Sequence, residues 1–179
     1  MEKTIRLFYA TRDGQARRIA ERIAARLAEK GIAADPTDLA TAPPTPAELA
    51  PASLIVLVAA VRYGRHLGQA RRFLAAYRAL AAPPPLALVS VNLTARKPGK
   101  DTADGNPYLR KLIDRYGLQP VIAAAIGGKL DYARYRWWDR QIIRFIMRLT
   151  GGPTDPTTCI DYASPAAIDE VAAQITRFL

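Results

Sequence analysis

Apolar residues in this chain fall into short runs separated by longer segments in which they recur every three or four positions. Residues 4–9 read as a strand, and 15–30 as a helix with Ile19, Ile23 and Leu27 on one face and Arg18, Arg22 and Arg26 on the other, closed by Gly31. Residues 54–61 and 86–91 are almost uninterrupted apolar runs, the pattern of strands covered on both faces, as in parallel sheets. Between them, 67–82 reads as a helix stopped by Pro83, Pro84 and Pro85. Residues 106–117 form a further helix, with Asn106 as cap and Pro107 at its first position. A short strand at 32–35, a fifth at 121–126 and an extended piece at 158–161 complete the strands, and Ser164 and Pro165 open a last helix over 166–179. Strands alternating with helices predict a doubly wound α/β sandwich around a parallel sheet.

One segment does not fit the alternation. Too much chain separates the strand at 121–126 from the piece at 158–161 for a turn, so 128–157 is read as a long insertion, an excursion within the last strand of a single unit spanning 1–179. Its centre, 132–149, interleaves arginines with aromatic and aliphatic side chains. Arg136, Arg140, Arg144 and Arg148 recur at steps of four, which on a helix makes a cationic stripe beside Ile142, Ile143, Phe145, Ile146 and Leu149. Such a helix suits an anionic membrane, a nucleic acid or an apolar groove. Trp137 is expected to face inward and the later arginines outward.

Charge narrows the partners. Lysines and arginines number 26 against 16 acids, for a net charge of +10, so an anionic partner is expected. One cysteine and one histidine exclude an internal disulfide and make a soft-ligand metal site improbable, so no metal is expected. No apolar run is long enough for a transmembrane helix, which leaves peripheral membrane contact.

Directly after the first strand comes Thr11-Arg12-Asp13-Gly14-Gln15-Ala16, running into the helix without a break. Free N–H groups converge at such a junction and the helix dipole favours negative charge, so the loop is a candidate phosphate seat. The plain alternative is that Thr11 and Asp13 only cap the helix. Neither G-x-G-x-x-G nor G-x-x-x-x-G-K-[ST] is present, which argues against a dinucleotide fingerprint and a nucleoside-triphosphate loop.

The loop and the strand order resemble the flavodoxin family, which implies a five-stranded parallel sheet of order 2-1-3-4-5 and an FMN site. Two further loops would flank the flavin ring, with Ala60, Arg62, Tyr63 and Gly64 in one and Ser90, Val91 and Asn92 in the other. The basic charge, and Ala16 where those proteins usually carry threonine, depart from the acidic electron shuttles. The chain is more similar to the menaquinone-dependent, quinone-type protoporphyrinogen IX dehydrogenases of bacterial haem synthesis. That likeness is carried by Thr11 to Gln15, Arg62-Tyr63-Gly64, Ser90 to Leu93, Ala95 to Pro98, Tyr135-Arg136-Trp137 with Asp139-Arg140, and Gly151-Gly152 with Thr154-Asp155.

This second resemblance implies oxidation of protoporphyrinogen IX to protoporphyrin IX through FMN, with menaquinone or ubiquinone as acceptor. It also implies a peripheral position on the cytoplasmic side of the inner membrane. Arg62, Arg65, Arg96, Lys97, Arg136 and Trp137 are the expected substrate-binding residues, with fixed cations orienting the two propionates. No side chain is expected to be catalytic, because the flavin carries the redox chemistry. A flavodoxin-like NAD(P)H quinone reductase, an electron shuttle and, more remotely, a nucleic-acid-binding module are the alternatives, and self-association is left open.

Overall fold

The structure is a computed structural model that describes residues 4–179. Its main sheet has the order β2-β1-β3-β5-β6, all parallel, formed by Ile5–Ala10 (β1), Pro36–Asp38 (β2), Leu54–Arg62 (β3), Leu86–Asn92 (β5) and Ile122–Gly127 (β6). A two-residue strand, Arg65–His66 (β4), folds back antiparallel onto the end of β3. With β4 set aside, this is the expected 2-1-3-4-5 order.

Strand alternation divides the core in two. Leu54, Val56 and Val58 point to one side, where they meet Ile19, Ile23 and Leu27 of helix α1 (Gln15–Ala28) and Ile168, Val171 and Ile175 of α6 (Pro165–Phe178). Ile55, Leu57 and Ala59 point to the other, against Phe73 and Leu74 of α3 (Gly68–Arg78) and Leu109 and Leu112 of α4 (Pro107–Tyr116). Each such buried aliphatic side chain contributes roughly 1.5–3 kcal/mol. On the rim, Asp169 of α6 accepts from Arg22 at 2.7 Å and Arg26 at 3.1 Å and ties α6 to α1.

Helix ends follow their caps. Asn106 accepts from the N–H groups of Tyr108 and Leu109, Ser164 accepts from Ala167, and Gly117 closes α4 in the left-handed region. The proline-rich connection holds only a single turn, Pro46–Leu49 (α2), opened by a Thr45–Glu48 capping box.

Two expectations shift. The strand expected at 32–35 forms instead at Pro36–Asp38, because pairing with Leu7 to Tyr9 sets its place and an edge strand tolerates a proline at its start. The extended piece at 158–161 does not rejoin the sheet. Cys159–Asp161 (β8) pairs antiparallel with Lys129–Asp131 (β7), making a separate ribbon at the carboxyl end of β6. A side chain on Gly127 would collide with the Tyr162 carbonyl, so the ribbon's closure requires glycine there. Helix α5 (Trp137–Leu149) lies between β7 and β8, and its Ile143 and Met147 pack with Leu130, Tyr132 and Tyr135 into a small third core.

Candidate functional site

Three chain junctions meet at the carboxyl ends of β1, β3 and β5, where a doubly wound sheet offers a crevice. At the first, Gly14 has φ 86° and caps α1, and its N–H donates to Thr11 Oγ1 at 3.0 Å. Among the described residues, no acceptor faces the N–H groups of Arg12, Asp13, Gln15 or Ala16. The first turn of α1 carries no acid, so no carboxylate within it offsets the positive helix end. The Gln15 side chain is engaged elsewhere, donating to Asp161 at 2.7 Å, and Ala16 is fully buried, so both offer the junction only their backbone.

At the second junction β3 turns into β4 through Tyr63 and Gly64. Arg62 pairs with Arg65 across the turn, and φ is 51° at Tyr63 and 73° at Gly64. Positive φ at both central residues is the geometry of a two-residue hairpin, and a tyrosine there is strained. Arg62 is the hub. Its guanidinium donates to Asp13 at 2.7 Å and Asp139 at 2.8 Å, and it lies over the rings of Tyr63 and Tyr135. Asp139, on α5, also accepts from the Tyr63 hydroxyl. Its carboxylate therefore fastens the excursion to the turn.

At the third junction Ser90 and Asn92 turn inward. Ser90 is fully buried, bonded to His66 Nε2 at 2.8 Å and accepting from Asn92 Nδ2 at 2.9 Å. Asn92 Oδ1 accepts from Ala95 N–H and Asn106 Nδ2, both at 3.0 Å. Burial, with the Arg71 charge as a smaller cause, pushes the His66 pKa down to about 4, so its imidazole is neutral. This network shapes the loop from below.

The crevice is lined by Thr11, Arg12, Asp13, Gln15, Ala60, Arg62, Val91 and Asn92 of the sheet's junctions. Its outer wall comes from the excursion, through Lys129, Asp131, Arg134 and Tyr135. Burial raises the Tyr135 pKa, and its hydroxyl donates to the Lys129 carbonyl at 3.2 Å. A second recess opens beyond Arg62, lined by Tyr63, Gly64, Leu93, Thr94, Arg96 and Tyr108, with Ile143, Ile146 and Met147 of α5 above it.

The sequence-expected residues therefore separate. Thr11, Arg12, Asp13, Gln15, Ala60, Arg62, Val91 and Asn92 share the crevice, while Ser90 is sealed beneath it. Tyr63, Gly64 and Arg96 line the second recess; Arg96 donates to the Leu93 carbonyl at 2.6 Å and lies over Tyr162. Lys97 lines neither. Arg65 opens onto another depression behind the turn.

Arg136 stays exposed, and Trp137 is 63% exposed, not inward, because the phase of α5 commits Ile143 and Met147 to its inner face. Arg140 and Arg144 are not free to point outward either. Their Nε groups donate to the carbonyls of Tyr132 at 3.1 Å and Thr154 at 2.9 Å. Asp139 and Tyr135 were missed as site residues, although Asp139 stands out as the acid among the arginines of 132–149.

Residues 6–157 match the flavodoxin domain family, and the chain belongs to it. The oxidised flavodoxin 1 of Bacillus cereus has the same fold, with a TM-score of 0.59, 13% identity and 99% of each chain covered. Within that class the chain belongs to the family of the protoporphyrinogen IX dehydrogenases [quinone]. It is 37% identical to that enzyme of Escherichia coli (strain K12) over 98% of this chain and 95% of the relative. It is 35% identical to that of Leishmania major over 93% and 72%.

Proposed function

We propose that this protein binds FMN and oxidises protoporphyrinogen IX to protoporphyrin IX, passing the electrons to a quinone at an anionic membrane surface. The observation that carries the reading is the phosphate seat: unaccepted N–H groups at an acid-free helix start, placed where the ends of β3 and β5 converge. The residues present fit the cofactor. Thr11 and the N–H groups of Arg12 to Ala16 would hold its phosphate, and Ala60, Val91 and Asn92 would border its ring. FMN supplies the redox chemistry when bound, two electrons at a time.

The chain's own task is to bind, orient and keep water out. Protoporphyrinogen IX loses six hydrogens in becoming protoporphyrin IX, and three quinones take them up as quinols, so the reaction balances without another oxidant. The single histidine, buried and neutral, is not positioned to relay protons.

Support for the membrane comes from α5, where Trp137, Trp138, Phe145 and Leu149 are 63, 65, 62 and 71% exposed. Among the described residues no helix is long and apolar enough to cross a membrane, so contact would lie along the surface. Burying such side chains gains roughly 25 cal/mol per Å². Arginines such as Arg136 and Arg148 beside an anionic leaflet add about 1 kcal/mol each. The face on offer is the cytoplasmic side of an inner membrane, where the quinone is dissolved.

Uptake of FMN is the first test. Apoprotein titrated with FMN should quench flavin fluorescence to a stoichiometric end point, and a protein that takes up no FMN would end this reading.

A further inference from the structure

Behind the Tyr63–Gly64 turn lies a depression that the reading above does not use. Arg65, Arg71, Lys111 and Arg115 line it, with His66 at its base and Tyr108 at its edge. Among the described residues none of the four cations forms a salt bridge. Arg71 is the informative one. It is half-buried and its Nε is shielded from water with no acceptor. A buried guanidinium N–H left without a partner is costly, and so is gathering four like charges in one hollow. Other partly buried arginines have partners for their guanidinium groups: Arg22 and Arg26 reach carboxylates, Arg96, Arg140 and Arg144 reach main-chain carbonyls, and Arg62, whose Nε also lacks an acceptor, reaches two carboxylates through its terminal nitrogens, whereas the Arg71 guanidinium has no partner at all among the described residues. Asp114, beside Arg115 on α4, lines a neighbouring groove together with Lys111 and Arg115 but forms a salt bridge with none of the four.

The hollow adjoins the site. Gly64 and Tyr108 line both it and the second recess, so the two share a wall, and a Cβ built on Gly64 would lie 3.8 Å from Tyr108 Cε1. The recess itself, between Leu93, Ile143, Ile146 and Met147, is largely apolar and adjoins Arg62 of the crevice. An apolar macrocycle with carboxylates on one edge matches the pair: ring in the recess, carboxylates across the Tyr108 rim.

We propose that Arg65, Arg71, Lys111 and Arg115 form the seat for the propionate carboxylates of the tetrapyrrole substrate. The inference rests on the function proposed above. Fixed guanidinium and ammonium donors bind carboxylates through short charge-assisted bonds and select the dianion over a neutral analogue. Such a seat orients the ring's reduced carbons toward the crevice without taking part in the chemistry.

The test compares protoporphyrin IX with its dimethyl ester, both in detergent, by quenching of tryptophan fluorescence in the FMN-loaded protein. Wild type should bind the diacid roughly tenfold or more tightly over the ester, and the Arg71→Gln/Arg115→Gln protein should lose that preference. Because Arg71 is half-buried, Lys111→Gln/Arg115→Gln, at two exposed positions, provides a second variant free of folding effects; it should lose most of the preference and raise KM for protoporphyrinogen IX with kcat held. A preference unchanged in both variants overturns the seat while the oxidation remains. A wild type that does not discriminate diacid from ester also overturns it. Loss of affinity for phosphatidylglycerol vesicles with the diacid preference intact would assign the hollow to lipid and overturn it too. Failure of the wild type either to bind porphyrin or to oxidise the porphyrinogen would sink both readings together.

Discussion

Arg62 joins three parts of the molecule that lie far apart in sequence. Its acceptors Asp13 and Asp139 are 49 and 77 residues away, and its side chain is only 13% exposed. Replacing the Asp139 carboxylate with an amide leaves one acceptor oxygen where Arg62 and Tyr63 each use one and sets an NH2 donor against the other partner, which costs about 1–3 kcal/mol. Asp139→Asn should therefore lower the unfolding midpoint and, more specifically, speed amide exchange in α5 while leaving the main sheet protected. Equal exchange in α5 of both proteins would show that Asp139 is not the fastener. The network was not legible in the sequence because nothing local to Arg62 names its partners.

His66 makes a separate prediction at the same scale. Its folded pKa, about 4, lies below the ordinary value of 6.5, so the unfolded chain binds the proton more readily. Stability should then fall as pH drops from about 6.5 to about 4, by at most about 3 kcal/mol. Denaturant unfolding of wild type and His66→Gln across that window should show the variant with the flatter acid limb. Parallel limbs would mean that the imidazole is not shielded in solution.

The helices and strands of the sandwich were readable because their signals are local. Asn106-Pro107, Ser164-Pro165 and the runs at 54–61 and 86–91 carry cap and burial information within a few residues. The hairpin strand β4 was missed because Tyr-Gly is not the usual Asn-Gly turn, and only the bond to Asp139 and the packing around Arg62 show what holds Tyr63 in its left-handed conformation. Helix α5 was found, but its orientation was misread. Four-residue spacing defines a stripe of arginines and cannot show that Arg140 and Arg144 are held by carbonyls outside the helix.

Much of what remains on the outside of α5 is apolar, with Trp138, Ile142, Phe145 and Leu149 at steps of four, three and four and with Gln141 and Arg148 exposed beside them. Trp138→Glu/Phe145→Glu should keep the fold, since both positions are more than half exposed, and lose at least roughly tenfold in affinity for phosphatidylglycerol vesicles. Flotation in which the variant travels with vesicles as well as wild type does would remove α5 from the membrane contact.

Across the whole molecule, a basic surface and an apolar helix face accompany a sheet whose crevice carries the proposed phosphate seat. The junction could be proposed as a seat from the sequence because loop, glycine and helix start are contiguous. The division of the surroundings into crevice, apolar recess and cationic hollow could not, because each is assembled from several distant segments. The central claim concerns what these parts do together. Under anaerobic conditions, with FMN-loaded protein, protoporphyrinogen IX and a soluble menaquinone analogue, porphyrin fluorescence and quinol should be measured in one reaction. Six hydrogens leaving the porphyrinogen require three quinols for each protoporphyrin IX formed, with no product when either FMN or quinone is withheld. Porphyrin appearing at the same rate without quinone, or none appearing with every component present, would contradict the account.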